Sequence, residues 1–153
     1  MTSSTAILDV DNLLKMSQEQ LDDLFKRSEA GPIPNGPAKG TAIIAPGTHF
    51  SKEIAEFVSL FAWQGKTFDA ERGILTNRIS VFGVNAIVAT VYKDKSWLDE
   101  KECIVLDYSK TSMIAHWIRD EIRQIAPNFY LGKVYWDHKR LIDFCLEFNH
   151  PNA

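Results

Sequence analysis

The chain has little that would announce a chemistry. It lacks a Gly-x-Gly-x-x-Gly turn, a Walker phosphate loop and a Gly-x-Ser-x-Gly elbow, so no nucleotide cradle or serine nucleophile is signalled. It holds four histidines, His49, His116, His138 and His150, no two within one helical turn, and no Cys-x-x-Cys pair. Without such spacing neither a metal centre nor a cofactor is expected. The net charge of −3 gives no basic excess for a nucleic-acid surface. Splitting the chain does not uncover one: residues 1–39 carry six acids and four bases, and the remainder fourteen and thirteen. No apolar run approaches the ~18 residues of a membrane span. No basic region followed by an apolar stretch opens the chain, so a cytoplasmic location is expected. The only cysteines, Cys103 and Cys145, sit in apolar strand-like runs. They read as buried free thiols, with a cross-strand disulfide left open.

What is present is a globular composition, 45% apolar and 24% charged, over 153 residues, enough for one domain with a real core. Residues 1–10 read as a loose leader. Ser17-Gln18-Glu19-Gln20 has the form of a capping box, and Leu21, Leu24 and Phe25 follow at helical spacing, predicting a helix over 17–28. Gly31 to Gly40 holds three of the six prolines and predicts an irregular surface arm. Residues 1–39 are therefore divided, as a helix and arm, from a barrel-like unit over 40–153, and the helix reads as a flap.

Thr41 to Ala45 predicts a strand, and Ser51 caps a predicted helix over 51–62. From Trp63 the apolar period changes to two. Gln64–Phe68 and Gly73–Phe82 predict a hairpin, Val84–Lys93 a further strand after a bend at Gly83, and Cys103–Tyr108 a strand covered on both faces. Ile114, Trp117, Ile118, Ile122 and Ile125 recur at helical spacing, with His116, Arg119, Asp120 and Arg123 between them, predicting a helix over 112–125. Phe129–Trp136 and Leu141–Phe148 predict a closing hairpin. The sum is an α+β fold: an antiparallel, strongly curved sheet or β-barrel of about seven strands with about three helices.

Candidate site residues follow from this pattern. Lys133 and Tyr135 share a strand face with Phe129 and Leu131, and Arg78 lies on another strand with Thr76 and Ser80. If those faces point inward, a cation and a phenol would hold the head of an acidic ligand. If they face water, the same residues are unremarkable. Lys110, with Ser109, Thr111 and Ser112 at the start of the predicted helix, forms either an anion cradle or an ordinary helix cap. Asp107, Tyr108 and Tyr130 are the candidates for acid–base work should the domain be an enzyme.

The strand order over residues 63–148 resembles the calycin group, lipocalins and fatty-acid-binding proteins. Lys133-Val134-Tyr135 stands where fatty-acid binders carry Arg-x-Tyr, and Gly40-Thr41-Ala42 where lipocalins carry Gly-x-Trp. The resemblance implies a barrel that binds a small apolar or aromatic carboxylate, lipid-like in character. Two alternatives remain beside it. One is an isomerase, cyclase or lyase acting on an apolar substrate in the same cavity. The other is an interaction module that uses the proline-rich arm or an open sheet edge.

Overall fold

The computed structural model describes residues 8–49, 51–60, 66–78, 86–112 and 115–148. Eight strands form one closed antiparallel barrel, each paired with its sequence neighbours. They are β1 (Gly36–Ile43), β2 (Lys66–Asp69), β3 (Ile74–Arg78), β4 (Ala86–Lys95), β5 (Glu102–Asp107), β6 (Ile118–Ala126), β7 (Phe129–Trp136) and β8 (Lys139–Phe148). Closure comes from β1 on β8, from Ala38 opposite Phe148 to Ile43 opposite Asp143. Among the described residues every strand thus has a paired neighbour on each side. Three short helices are described: α1 (Val10–Leu14), α2 (Gln18–Lys26) and α3 (Lys52–Leu60). None is long and apolar enough to cross a membrane.

The turns follow from local chemistry. Gly73 closes the β2–β3 link at φ +68°, its N–H bonded to the Asp69 carbonyl at 2.9 Å. Asp137 and His138 both take positive φ, the primed turn that matches the twist of the β7–β8 hairpin. The Ser17 box is formed as the sequence predicts, Ser17 Oγ accepting from Gln20 N–H and Gln20 Oε1 from Ser17 N–H. Ser51 caps α3 through the Ile54 N–H.

Two expectations are corrected. The helix expected over 112–125 is not formed by its described residues: β6 runs from Ile118 to Ala126, and residues 113–114 lie outside the described residues. The apolar stripe fits a helical period, but Ile118 and Ile122 also fit a period of two. Along β6 Ile118, Asp120 and Ile122 point into the barrel, while Arg119, Glu121 and Arg123 point outward. Arg119 and Arg123, which read as part of a wet helix face, are paired with Glu121 and Asp99, so both strand faces are occupied. The second correction is the arm: its latter half, Gly36 to Gly40, is part of β1.

Alternation creates two cores. The inner one takes Phe68, Leu75, Ile104, Ile122, Val134 and Phe144, among others, and receives Ile54 and Phe57 of α3. Helix α3 runs from the end of β1 to the start of β2, so it plugs that end of the barrel. Gly132 permits the packing opposite it: a Cβ there would come within 2.3 Å of the Phe144 ring. The outer core joins Leu13, Leu21, Leu24 and Phe25 of α1 and α2 to Cys103, Val105, Phe129, Leu131 and Cys145 of the barrel wall.

The outer core is secured by two buried cations. Arg123 donates to both Asp99 carboxylate oxygens at 2.8 and 2.7 Å and to the carbonyls of Phe25, Lys101 and Glu102. Lys133 donates to Asp22 and Asp143, each at 2.7 Å, and Arg140 also reaches Asp22. Both cysteines are free, and burial pushes each thiol up to about 12. Phe25→Ala should remove about 3–5 kcal/mol of unfolding free energy, measured by urea titration. The two buried thiols should resist a soluble thiol reagent in the native protein and become reactive in that variant.

Candidate functional site

The polar groups inside the barrel gather at the end plugged by α3. Lys66 opens β2 and lies directly opposite Asn77 near the end of β3. Asn77 in turn lies opposite Ile87 of β4. Tyr108 directly follows β5, and Asp120 near the start of β6 lies opposite Leu106. All four share the inward parity of apolar neighbours: Phe68 for Lys66, Leu75 for Asn77, Leu106 for Tyr108, Ile118 and Ile122 for Asp120. Each is buried, at 5%, 2%, 0% and 3% exposure in chain order. Polar groups so placed need partners, because none can reach bulk water.

The partners form a chain. Lys66 Nζ donates to Asn77 Oδ1. The Asn77 amide then donates to the Tyr108 hydroxyl at 2.8 Å and to the Ile87 carbonyl at 3.2 Å. Asp120 breaks the pattern: its Oδ1 is buried and has no hydrogen-bond partner among the described residues.

The electrostatics pull this cluster toward neutrality. Burial lowers the Lys66 ammonium from 10.5 to about 7, against the attraction of Asp120. Burial likewise raises Asp120 from 3.8 to about 7; Lys66 opposes the rise and Glu121 adds to it. Tyr108 is pushed well above 10 by burial and by the Asp120 charge, so its phenol keeps its proton. The arrangement is thus an apolar-walled site with a near-neutral amine, a near-neutral carboxyl, a phenol and an amide. It can donate and accept hydrogen bonds and can exchange a proton near pH 7.

The residues singled out from the sequence fall in different places. Lys133 and Tyr135 are on the outer face with Phe129 and Leu131, Lys133 beneath α2 with its ammonium between two carboxylates. Tyr135 packs edge-on against Trp97, ring centroids 5.1 Å apart. Burial raises the Asp22 carboxyl, but its bonds to Lys133 and Arg140 outweigh that and hold it below 3.8. Arg78 ends β3; its side chain, like Ser80, lies outside the described residues. Lys110 is exposed, and the loop around it is not a helix start: Asp107 Oδ1 accepts from the N–H and hydroxyl of Ser109. Tyr92 donates to the other Asp107 oxygen at 2.8 Å. Tyr130 donates to the Pro32 carbonyl at 2.7 Å and so fastens the arm. Of the seven, only Tyr108 belongs to the inner cluster.

Lys66, Asn77 and Asp120 escaped sequence reasoning. A signal existed for the first two, since each shares strand parity with a core residue two positions away. Asp120 was hidden by the helical reading of its segment.

No family model matches the chain, and no curated protein matches it. Among solved structures, the crystal structure of a protein from Thermomonospora curvata superposes with a TM-score of 0.60 at 14% identity, covering 89% of this chain and 90% of that one. That likeness shows a shared fold.

The buried pair makes a prediction about stability. Asp120 binds its proton more tightly folded than unfolded, so its contribution is fully present below about pH 4 and is lost as pH rises to about 7. Lys66 releases its proton more readily when folded, so its contribution is lost as pH falls from 10.5 to about 7. Together they produce a minimum near pH 7. Replacing both, Lys66→Met with Asp120→Leu, should remove that minimum and leave the protein about 1–4 kcal/mol more stable near neutrality. Thermal unfolding of both proteins across the pH range checks this; a wild-type curve parallel to the variant's would contradict it.

Proposed function

We propose that the protein is a small-molecule-binding barrel of calycin type, with the polar head of an apolar, lipid-like or aromatic ligand seated on Lys66, Asn77, Tyr108 and Asp120. The observation that carries this reading is the Asp120 oxygen left without a partner inside an apolar interior. Such an atom is costly to leave unsatisfied, by about 1–3 kcal/mol or more, and a bound molecule would satisfy it. The architecture is compatible with the reading: barrels of eight antiparallel strands in sequential order are either filled by their own side chains or hold one small ligand. Lys133 supports it less, because Asp22 and Asp143 already match its charge.

A second reading has its own support. A carboxyl and an amine both drawn toward pH 7, beside a buried phenol, suit acid–base catalysis on an apolar substrate, such as an isomerase, cyclase or lyase would perform. In that case Asp120 and Lys66 exchange the proton and Tyr108 orients the substrate.

Titration with a neutral apolar fluorophore such as aminoanthracene tests the binding reading. Saturable binding is expected, and Tyr108→Phe, which removes the hydroxyl and little volume, should weaken it roughly ten-fold. Absence of saturable binding, or binding indifferent to Tyr108 and Asp120 substitutions alike, would count against an interior site.

A further inference from the structure

We infer that the head group taken by the inner site is a neutral hydrogen-bond donor, an alcohol or phenol, which donates to Asp120 Oδ1. This rests on the interior-binding reading above and narrows it by the bonds already made within the cluster. Asn77 uses its carbonyl oxygen on Lys66 and its amide on Tyr108 and Ile87. The atom left over is Asp120 Oδ1, buried and without a partner among the described residues, and in the ionised carboxylate it is an acceptor. A ligand that completes the cluster in its ionised form must therefore bring a donor.

Charge then selects among donors. The inner cluster holds one amine and one carboxyl, which neutralise each other whether both are ionised or both are not. A carboxylate ligand would add a second anion to an interior with a single basic group among the described residues, and an ammonium ligand a second cation. Either leaves an unmatched charge away from water. A hydroxyl adds none. The walls nearest Asp120 are apolar, with Leu106 and Val134 opposite it across the sheet and Ile118 and Ile122 beside it along the strand. They suit an alkyl or aryl body behind that hydroxyl.

Three probes of equal chain length separate the possibilities: n-octanol, its methyl ether and octanoate, each titrated calorimetrically against the full chain near neutral pH. The inference expects octanol to bind, with ether and octanoate each weaker by roughly ten-fold or more, since the ether has no donor and the acid carries a charge. In Asp120→Asn the side-chain amide can donate to an ether oxygen, so the octanol-to-ether ratio should fall toward unity. Circular dichroism confirms that the variant folds, and the wild-type ranking stands without it. Equal binding of alcohol and ether, or a preference for octanoate, would overturn the hydroxyl assignment while leaving interior binding intact. If none of the three binds, the interior site itself fails, and an internal water is the simpler partner for Asp120.

Discussion

The pairing of β1 with β8 is the constraint from which the other features follow. Once Ala38–Ile43 is registered on Asp143–Phe148, the sheet of described strands closes into a barrel, and each of their residues faces either its interior or an outer wall. Side chains two apart share a face, so a strand has no third environment to offer. Wherever the interior contains a polar group, its strand neighbours hold it there. Moving it out would flip a whole run of core residues.

The outer wall is only partly a surface. Helices α1 and α2 cover the β5, β7 and β8 side of the barrel, and the covered charges are consistently paired. Arg123 ties the last turn of α2 to the β4–β5 loop through the Phe25 carbonyl and Asp99. Lys133 ties Asp22 of α2 to Asp143 of β8. Glu121, fully buried, accepts from the Ser96 hydroxyl, the Trp97 N–H and the Arg119 guanidinium. Breaking any of these would leave a buried charge behind, which is why such pairs enforce where the N-terminal helices dock even if they add little net stability.

This double coverage sets how far the sequence could be read. The β2–β3 and β7–β8 hairpins, both helix caps and the doubly covered β5 were legible, because turn residues and a period of two mark them. β6 was not. Apart from the inward Asp120, its charged residues lie on the face covered by other segments, so the expected alternation of apolar and wet positions is largely replaced by apolar alternating with paired charge. Ile114, Trp117, Ile118, Ile122 and Ile125 then mimic a helix. The same ambiguity misled the search for a site. Lys133 beside Phe129 and Leu131 suggests an inward face, and it is indeed a buried face, but the outer one beneath α2. The inner cluster needed the closed register, which brings Lys66, Asn77, Tyr108 and Asp120 together from β2, β3, the end of β5 and β6.

What remains distinctive is that an otherwise apolar inner core gathers Lys66, Asn77, Tyr108 and Asp120 at its plugged end. Its capacity to hold a ligand head, or to move a proton, depends on Asp120 being poised near neutrality by its burial. The most direct measurement is a carboxyl-carbon NMR titration of protein labelled in aspartate, with Asp120 assigned by the signal lost in Asp120→Asn. A titration midpoint near 7, far above the ordinary aspartate value, is the predicted result. A midpoint at or below about 4 would mean that the carboxyl is solvated or fully paired, and would contradict the interior site.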